Sequence, residues 1–132
     1  MTAPPRVYVY DRTAAYHSRR LLDQRLLGCR NTAERYEWEV VGVWMDLGLD
    51  AMTELPSERP EFMRLVRQMT ADGHVFGRPV MCLVHNWDRL TTDNSIRPAF
   101  QRHVLGAGGH TTTTFDESDA RARDTFVGKR LA

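Results

Sequence analysis

Lysine is nearly missing from this 132-residue chain. Of its 18 basic residues only Lys129 is a lysine, and the others are arginines. Arginine suits planar, two-pronged recognition of phosphate and carboxylate. A GC-rich coding bias gives the same count, so placement has to decide between the two. A net basic excess is also missing. At +1 the chain as a whole lacks the electrostatic signature of a nucleic-acid binder. No apolar run approaches the roughly 20 residues of a membrane helix. The opening Met-Thr-Ala-Pro-Pro lacks the basic-then-apolar order of a secretion signal. A cytoplasmic protein with no membrane association is expected. Cysteine is scarce as well. Cys29 and Cys82 each stand alone among apolar residues, which favours two buried free thiols over a disulfide or a metal site. There is no repeat, low-complexity tract or linker, so one domain is expected.

What is present alternates between two periodicities. Val7–Tyr10 reads as a strand, followed by a helix over 18–36. The apolar residues Leu22, Leu26, Cys29, Ala33 and Tyr36 of that stretch recur on one helical face. Glu39–Met45 reads as a second strand ending at Asp46. A helix over 58–71 follows, with Ser57 as its cap, Pro60 in its first turn, and Phe62, Leu65, Val66 and Met69 facing inward. Gly73 is expected to end it. Pro79–Val84 is apolar throughout, as in a strand covered on both faces. A third helix over 94–105 and a fourth strand over 110–115 complete the core. The threonines of that strand suit an exposed edge. The order predicts an α/β fold, with a mainly parallel sheet of four to five strands and helices on both faces. Sites in such sheets form beyond the carboxyl ends of the strands.

Four short pieces fall at those ends or at the following helix start. They are Tyr10-x-Arg12-x-Ala14, Asp46-x-Gly48, Glu58-Arg59-Pro60, and Asp88-Arg89-Leu90-Thr91-Thr92. Their order and spacing resemble the catalytic domain of the serine recombinases, the resolvase/invertase family. The resemblance spans about residues 6–115. It implies a metal-free and cofactor-free reaction in which a serine attacks a DNA phosphodiester and arginines neutralise the phosphate. On that resemblance Arg12, Arg59 and Arg89 match phosphate-binding residues, with Tyr10, Asp46 and Asp88 supporting them. Two positions depart from the pattern. Ala14 stands where the nucleophilic serine belongs, and Thr92 stands where a further arginine belongs. The Ser-Gly pair after the second strand is absent too, with Leu49-Asp50-Ala51 in that region.

The expectation is therefore a single resolvase-like domain over 1–132, with a core over about 6–115 and a short polar helix over about 117–131. No DNA-reading domain follows in this chain, so its DNA contact would be weak and non-specific. No catalytic residue is intact. The expected role is that of a recombination-related binding or assembly module, pairing with itself or with an active recombinase. Two alternatives stay open. One is a DNA-cleaving enzyme with a substitute hydroxyl, for which Thr13 and Ser18 are the neighbours, although strand alternation turns Thr13 away from Arg12 and Ala14. The other is a small-anion or nucleotide-binding α/β protein. Plainer roles compete at several positions. Arg12 and Arg89 can hold Asp88 or Asp46 in structural ion pairs, His17 and His85 can be solvated, and Trp38, Trp44 and Trp87 can simply pack.

Overall fold

The computed structural model describes residues 3–14 and 19–120. Its strands are β1 (Arg6–Thr13), β2 (Glu39–Leu47), β3 (Val80–Val84) and β4 (His110–Thr113). Its helices are α1 (Arg19–Arg35), α2 (Pro60–Phe76) and α3 (Arg97–Gly106). The four strands form one parallel sheet in the order β2-β1-β3-β4. Among the described residues no helix is long and apolar enough to cross a membrane.

Alternation along β1 builds the two faces. Val7 and Val9 join Met81, Leu83 and Cys29 on the α1 side. Tyr8 and Tyr10 join Phe62, Leu65, Met69 and Phe100 on the side of α2 and α3. Successive side chains of a strand point to opposite faces, so one strand serves both cores. The inward residues expected for α2 are all buried. On α1, Leu22, Cys29 and Ala33 are buried and Leu26 is partly so. Tyr36 lies past the helix, is exposed, and stacks on Trp38 at 4.8 Å. Cys29 and Cys82 are buried and unbonded, and burial pushes the Cys29 thiol up to about 12.

Several local expectations are corrected. Ser57 does not cap α2. Arg59 holds the cap position without a side-chain bond, and the carboxylate of Asp46 takes over that task from β2. Gly73 does not end α2 either. The helix continues to Phe76 and stops at Gly77, whose φ of 60° is left-handed. The helix α3 begins at Arg97 instead of near Asn94, with Pro98 in its first turn. The threonines of β4 are not exposed. Thr111, Thr112 and Thr113 are buried, because the chain folds back along them. The Thr113 amide donates to Glu117 O at 2.9 Å, and the Asp119 amide donates to Thr111 O at 3.1 Å. The stretch Glu117–Asp119 is thus a non-helical return along the sheet edge, and residues 121–132 lie outside the described residues.

Candidate active-site cleft

The carboxyl ends of β1, β2 and β3 meet the loops that follow them around a cleft of about 430 Å³. Arg12, Thr13, Ala14, Arg25, Glu54, Arg89 and Thr92 all line it. The fold thus brings together the alanine, the threonine and two of the three arginines singled out in the sequence. Thr13 also lines the cleft, against the alternation that was expected to turn it away. It sits at the last position of β1, where regular pleating is about to end. Ser18 lies outside the described residues, as does His17.

Arg12 spans the cleft and is held by main-chain oxygens. Its Nε and Nη2 donate to Asp88 O at 3.1 and 2.9 Å, and its Nη1 donates to Ala51 O at 3.0 Å. Burial first, and then the neighbouring guanidiniums of Arg59 and Arg89, pull its pKa down from the ordinary value. Arg89 donates through Nη1 to Arg12 O at 2.9 Å and to Asp11 Oδ1 at 3.4 Å. Its Nε is buried and has no partner among the described residues.

Asp11 was not anticipated, yet it lies under the cleft at 1% exposure. It accepts from Arg25 Nε at 2.8 Å and from the Arg12 amide at 2.6 Å, besides pairing with Arg89. Arg25 was not anticipated either. Both carried a readable signal. Asp11 continues the inward Val7-Val9 register of β1, and Arg25 falls one turn after Leu22 on the inward stripe of α1. Opposite charges at two inward positions that face each other imply a pair. The plainer role proposed for Arg89 thus holds with a different partner: its carboxylate is that of Asp11, not that of Asp88 or Asp46.

Arg59 does not line the cleft. It is fully buried behind it, with its guanidinium 4.3 Å from the centre of the Phe100 ring. Its Nε donates to Thr53 O at 3.0 Å, its Nη1 donates to Leu90 O, and its Nη2 has no partner among the described residues. Asp46 is also buried. It accepts from the Tyr10 hydroxyl at 2.8 Å, the Glu61 amide at 2.8 Å and the Phe62 amide at 3.0 Å. A carboxylate at a helix N-terminus satisfies free amides and complements the helix dipole. Tyr10 packs edge-on against Phe62 at 5.2 Å, and burial drives its phenol far above the usual range. Asp88 is exposed and contributes its carbonyl to Arg12. His85 meets Thr114 through Nδ1 at 3.2 Å rather than Asp88. Trp44 packs against Tyr8 at 5.6 Å, and Trp87 lies under Arg97 at 5.1 Å.

No protein-family model matches the sequence, and no curated protein is similar to it. Solved structures are similar in shape. The N-terminal catalytic domain of TP901-1 integrase superposes with a TM-score of 0.67 at 18% identity, over 94% of this chain and 90% of that one. A resolvase family site-specific recombinase from Streptococcus pneumoniae gives 0.67 at 16% identity, over 93% and 83%. The C-terminal catalytic domain of ISC1926 TnpA, an IS607-like serine recombinase, gives 0.64 at 20% identity, over 91% and 76%. The four motif pieces sit at strand ends and helix starts of this same architecture, and the chain has the fold of a serine recombinase catalytic domain.

Proposed function

We propose that this chain is a serine recombinase-type domain that has lost strand cleavage and works as a binding or assembly module in DNA recombination. The observation that carries the reading is the make-up of the cleft. It is lined by a methyl group at Ala14 and a short hydroxyl at Thr92. On the family resemblance, these are the places of the nucleophile and of one phosphate-binding arginine. Without an oxygen at residue 14 no covalent bond to phosphorus forms there. Without a guanidinium at residue 92 the developing charge loses a contact of the kind that supplies several kcal/mol in phosphoryl transfer. Arg12 and Arg89 leave room for loose contact with a DNA backbone, without sequence preference.

A second reading rests on Thr13, whose position beside Ala14 in the cleft makes its hydroxyl a substitute nucleophile. Incubation with supercoiled plasmid, followed by denaturing electrophoresis, separates the two. Neither nicking nor a protein–DNA adduct is the expected result. An adduct that survives denaturation and disappears in Thr13→Val overturns the first reading in favour of the second.

A further inference from the structure

The sheet is covered unevenly. One face carries α2 and α3, whereas α1 is the one helix among the described residues on the other. Beside α1, over β2, two apolar grooves of about 560 and 360 Å³ run end to end and share Asp23 and Leu26. Val40, Val43 and Leu47 of β2 line them at 42, 46 and 52% exposure, as does Leu27 of α1 at 55%. The strand β2 is also the sheet edge, paired among the described residues with β1 alone. It spans nine residues and carries no lysine or proline, and its one irregularity in register, at Val41, and its exposed charge, Glu39, lie at its start, ahead of Val43. Edge strands of monomeric proteins are normally short, charged or interrupted by proline.

We propose that this edge and groove form an interface with a second copy of the chain, in which β2 pairs antiparallel with its two-fold mate and α1 lies against α1. This rests on the assembly reading above and names its surface. An axis through Val43 sets Val43 against Val43 and, across the irregularity in register at Val41, Met45 against Val40, and all of these residues line the grooves on the α1 side. The same axis passes near Leu27, which lines the groove together with Val43. Antiparallel α1 helices centred on Leu27 then place Arg20 opposite Glu34 of the other copy, and Asp23 beside its Arg30. The charges of α1 permit this, with Asp23 and Glu34 shared between the other copy and the exposed arginines of their own helix, Arg19 and Arg30. Arg20 and Asp23 lie in its first half, and Arg30 and Glu34 in its second. Spacing allows it as well. α1 rests on β1 and touches β2, so the mates lie two to three strand spacings apart, about 10–14 Å. That approaches the 8–10 Å of packed helices, with the leucines filling the remainder.

Sedimentation of the full chain across a wide range of concentration is the test. A dimer is expected. Val43→Lys places a charge on the edge and should weaken it by about thirtyfold or more, the scale of one central interface residue. Circular dichroism checks that the variant still folds. The second arm does not touch the core. Arg20→Glu and Glu34→Arg should each weaken the dimer by about fivefold, since the pair occurs twice about the axis, and the two together should restore it. A chain that sediments as a monomer throughout overturns the proposal, including the case in which its own residues 121–132 fill the groove. So does a dimer indifferent to Val43→Lys, or charge reversals whose double variant is no better than the singles. Because no DNA is present, this outcome is independent of the cleavage assay. A dimer that nonetheless cuts plasmid would sink the functional reading and leave the interface standing.

Discussion

Replacing Asp46 by alanine separates an architectural carboxylate from a catalytic one. Asp46 sits at 1% exposure and its two oxygens take three donors, from Tyr10 of β1 and from Glu61 and Phe62 of α2. Asp46→Ala removes the cap of α2, a loss of about 0.5–2 kcal/mol. It also leaves the Tyr10 hydroxyl and two amides without their acceptor, at about 1–3 kcal/mol for each donor that stays dry. The three share one group and do not add fully. The expected destabilisation is about 3–5 kcal/mol, a large part of the 5–15 kcal/mol typical of a whole domain. Urea unfolding followed by far-ultraviolet dichroism should show a lower midpoint at unchanged slope. Asp46→Asn keeps one acceptor oxygen and should recover about half of the loss. A cost below about 1 kcal/mol for the alanine variant would refute the assignment. It would mean that the carboxylate is free to serve the cleft.

Other perturbations test other parts of the molecule. Ala14→Ser alone should stay near background in plasmid cleavage, and adding Thr92→Arg should raise it more than additively, because both act on one transition state. Asp11→Ala should cost about 3 kcal/mol in urea unfolding, because it strands the part-buried guanidiniums of Arg25 and Arg89; if instead the variant is as stable as the parent, the network is ornamental. Burial pushes the Tyr8 phenol up to about 12 from its ordinary value of 10.0. The associated stability is present below pH 10 and is lost as the pH rises through about 12. Tyr8→Phe should therefore flatten part of the alkaline limb, with phenolate absorbance marking the transition. At Gly109 a Cβ would fall on the carbonyl oxygen of Val80 and lie 2.7 Å from Met69 Cε. Gly109→Ala should lower stability by about 1–3 kcal/mol, read as a drop in Tm.

The sheet was legible because its strands are chemically simple. Pro79–Val84 is apolar without a break, and β3 is buried along its whole length. The alternation of strand and helix then left few topologies open. Helix ends were harder to read, because their caps come from far away in sequence. Asp46 lies fourteen residues before Pro60, and no local pattern links it to the amides it serves. The β4 threonines were misread for a similar reason. What buries them is the return through Glu117–Asp119, whose composition carries no strand periodicity. In the cleft, the motif pieces led to Arg12, Ala14, Arg89 and Thr92, while Asp11 and Arg25 went unread because the motif is silent there. Arg59 was placed correctly at the start of α2. Its burial behind the cleft follows from Phe100, which the sequence could not set against it.

Why a restored serine should achieve so little follows from what the arginines already hold. Arg12 gives three hydrogen bonds to main-chain oxygens, and bonds from a charged donor are worth about 1.5–3 kcal/mol each. A phosphate entering the cleft therefore exchanges contacts with Arg12 instead of adding them, unless its oxygens accept only from guanidinium N–H groups that the main-chain oxygens do not use. Arg25 and Arg89 are drawn toward Asp11, whose negative charge lies beneath them and offsets part of their field. An incoming anion meets fewer net positive charges than three guanidiniums suggest. Positioning a reacting phosphate can supply roughly 7–11 kcal/mol of a barrier, and a cleft whose cations are satisfied internally has little with which to position it. In the reading proposed here, the domain keeps its arginines chiefly because they tie β1, α1 and the loop after β3 into one rigid end. Its remaining capacity for interaction then lies on the α1 side of the sheet, where β2 and α1 leave apolar surface open among the described residues.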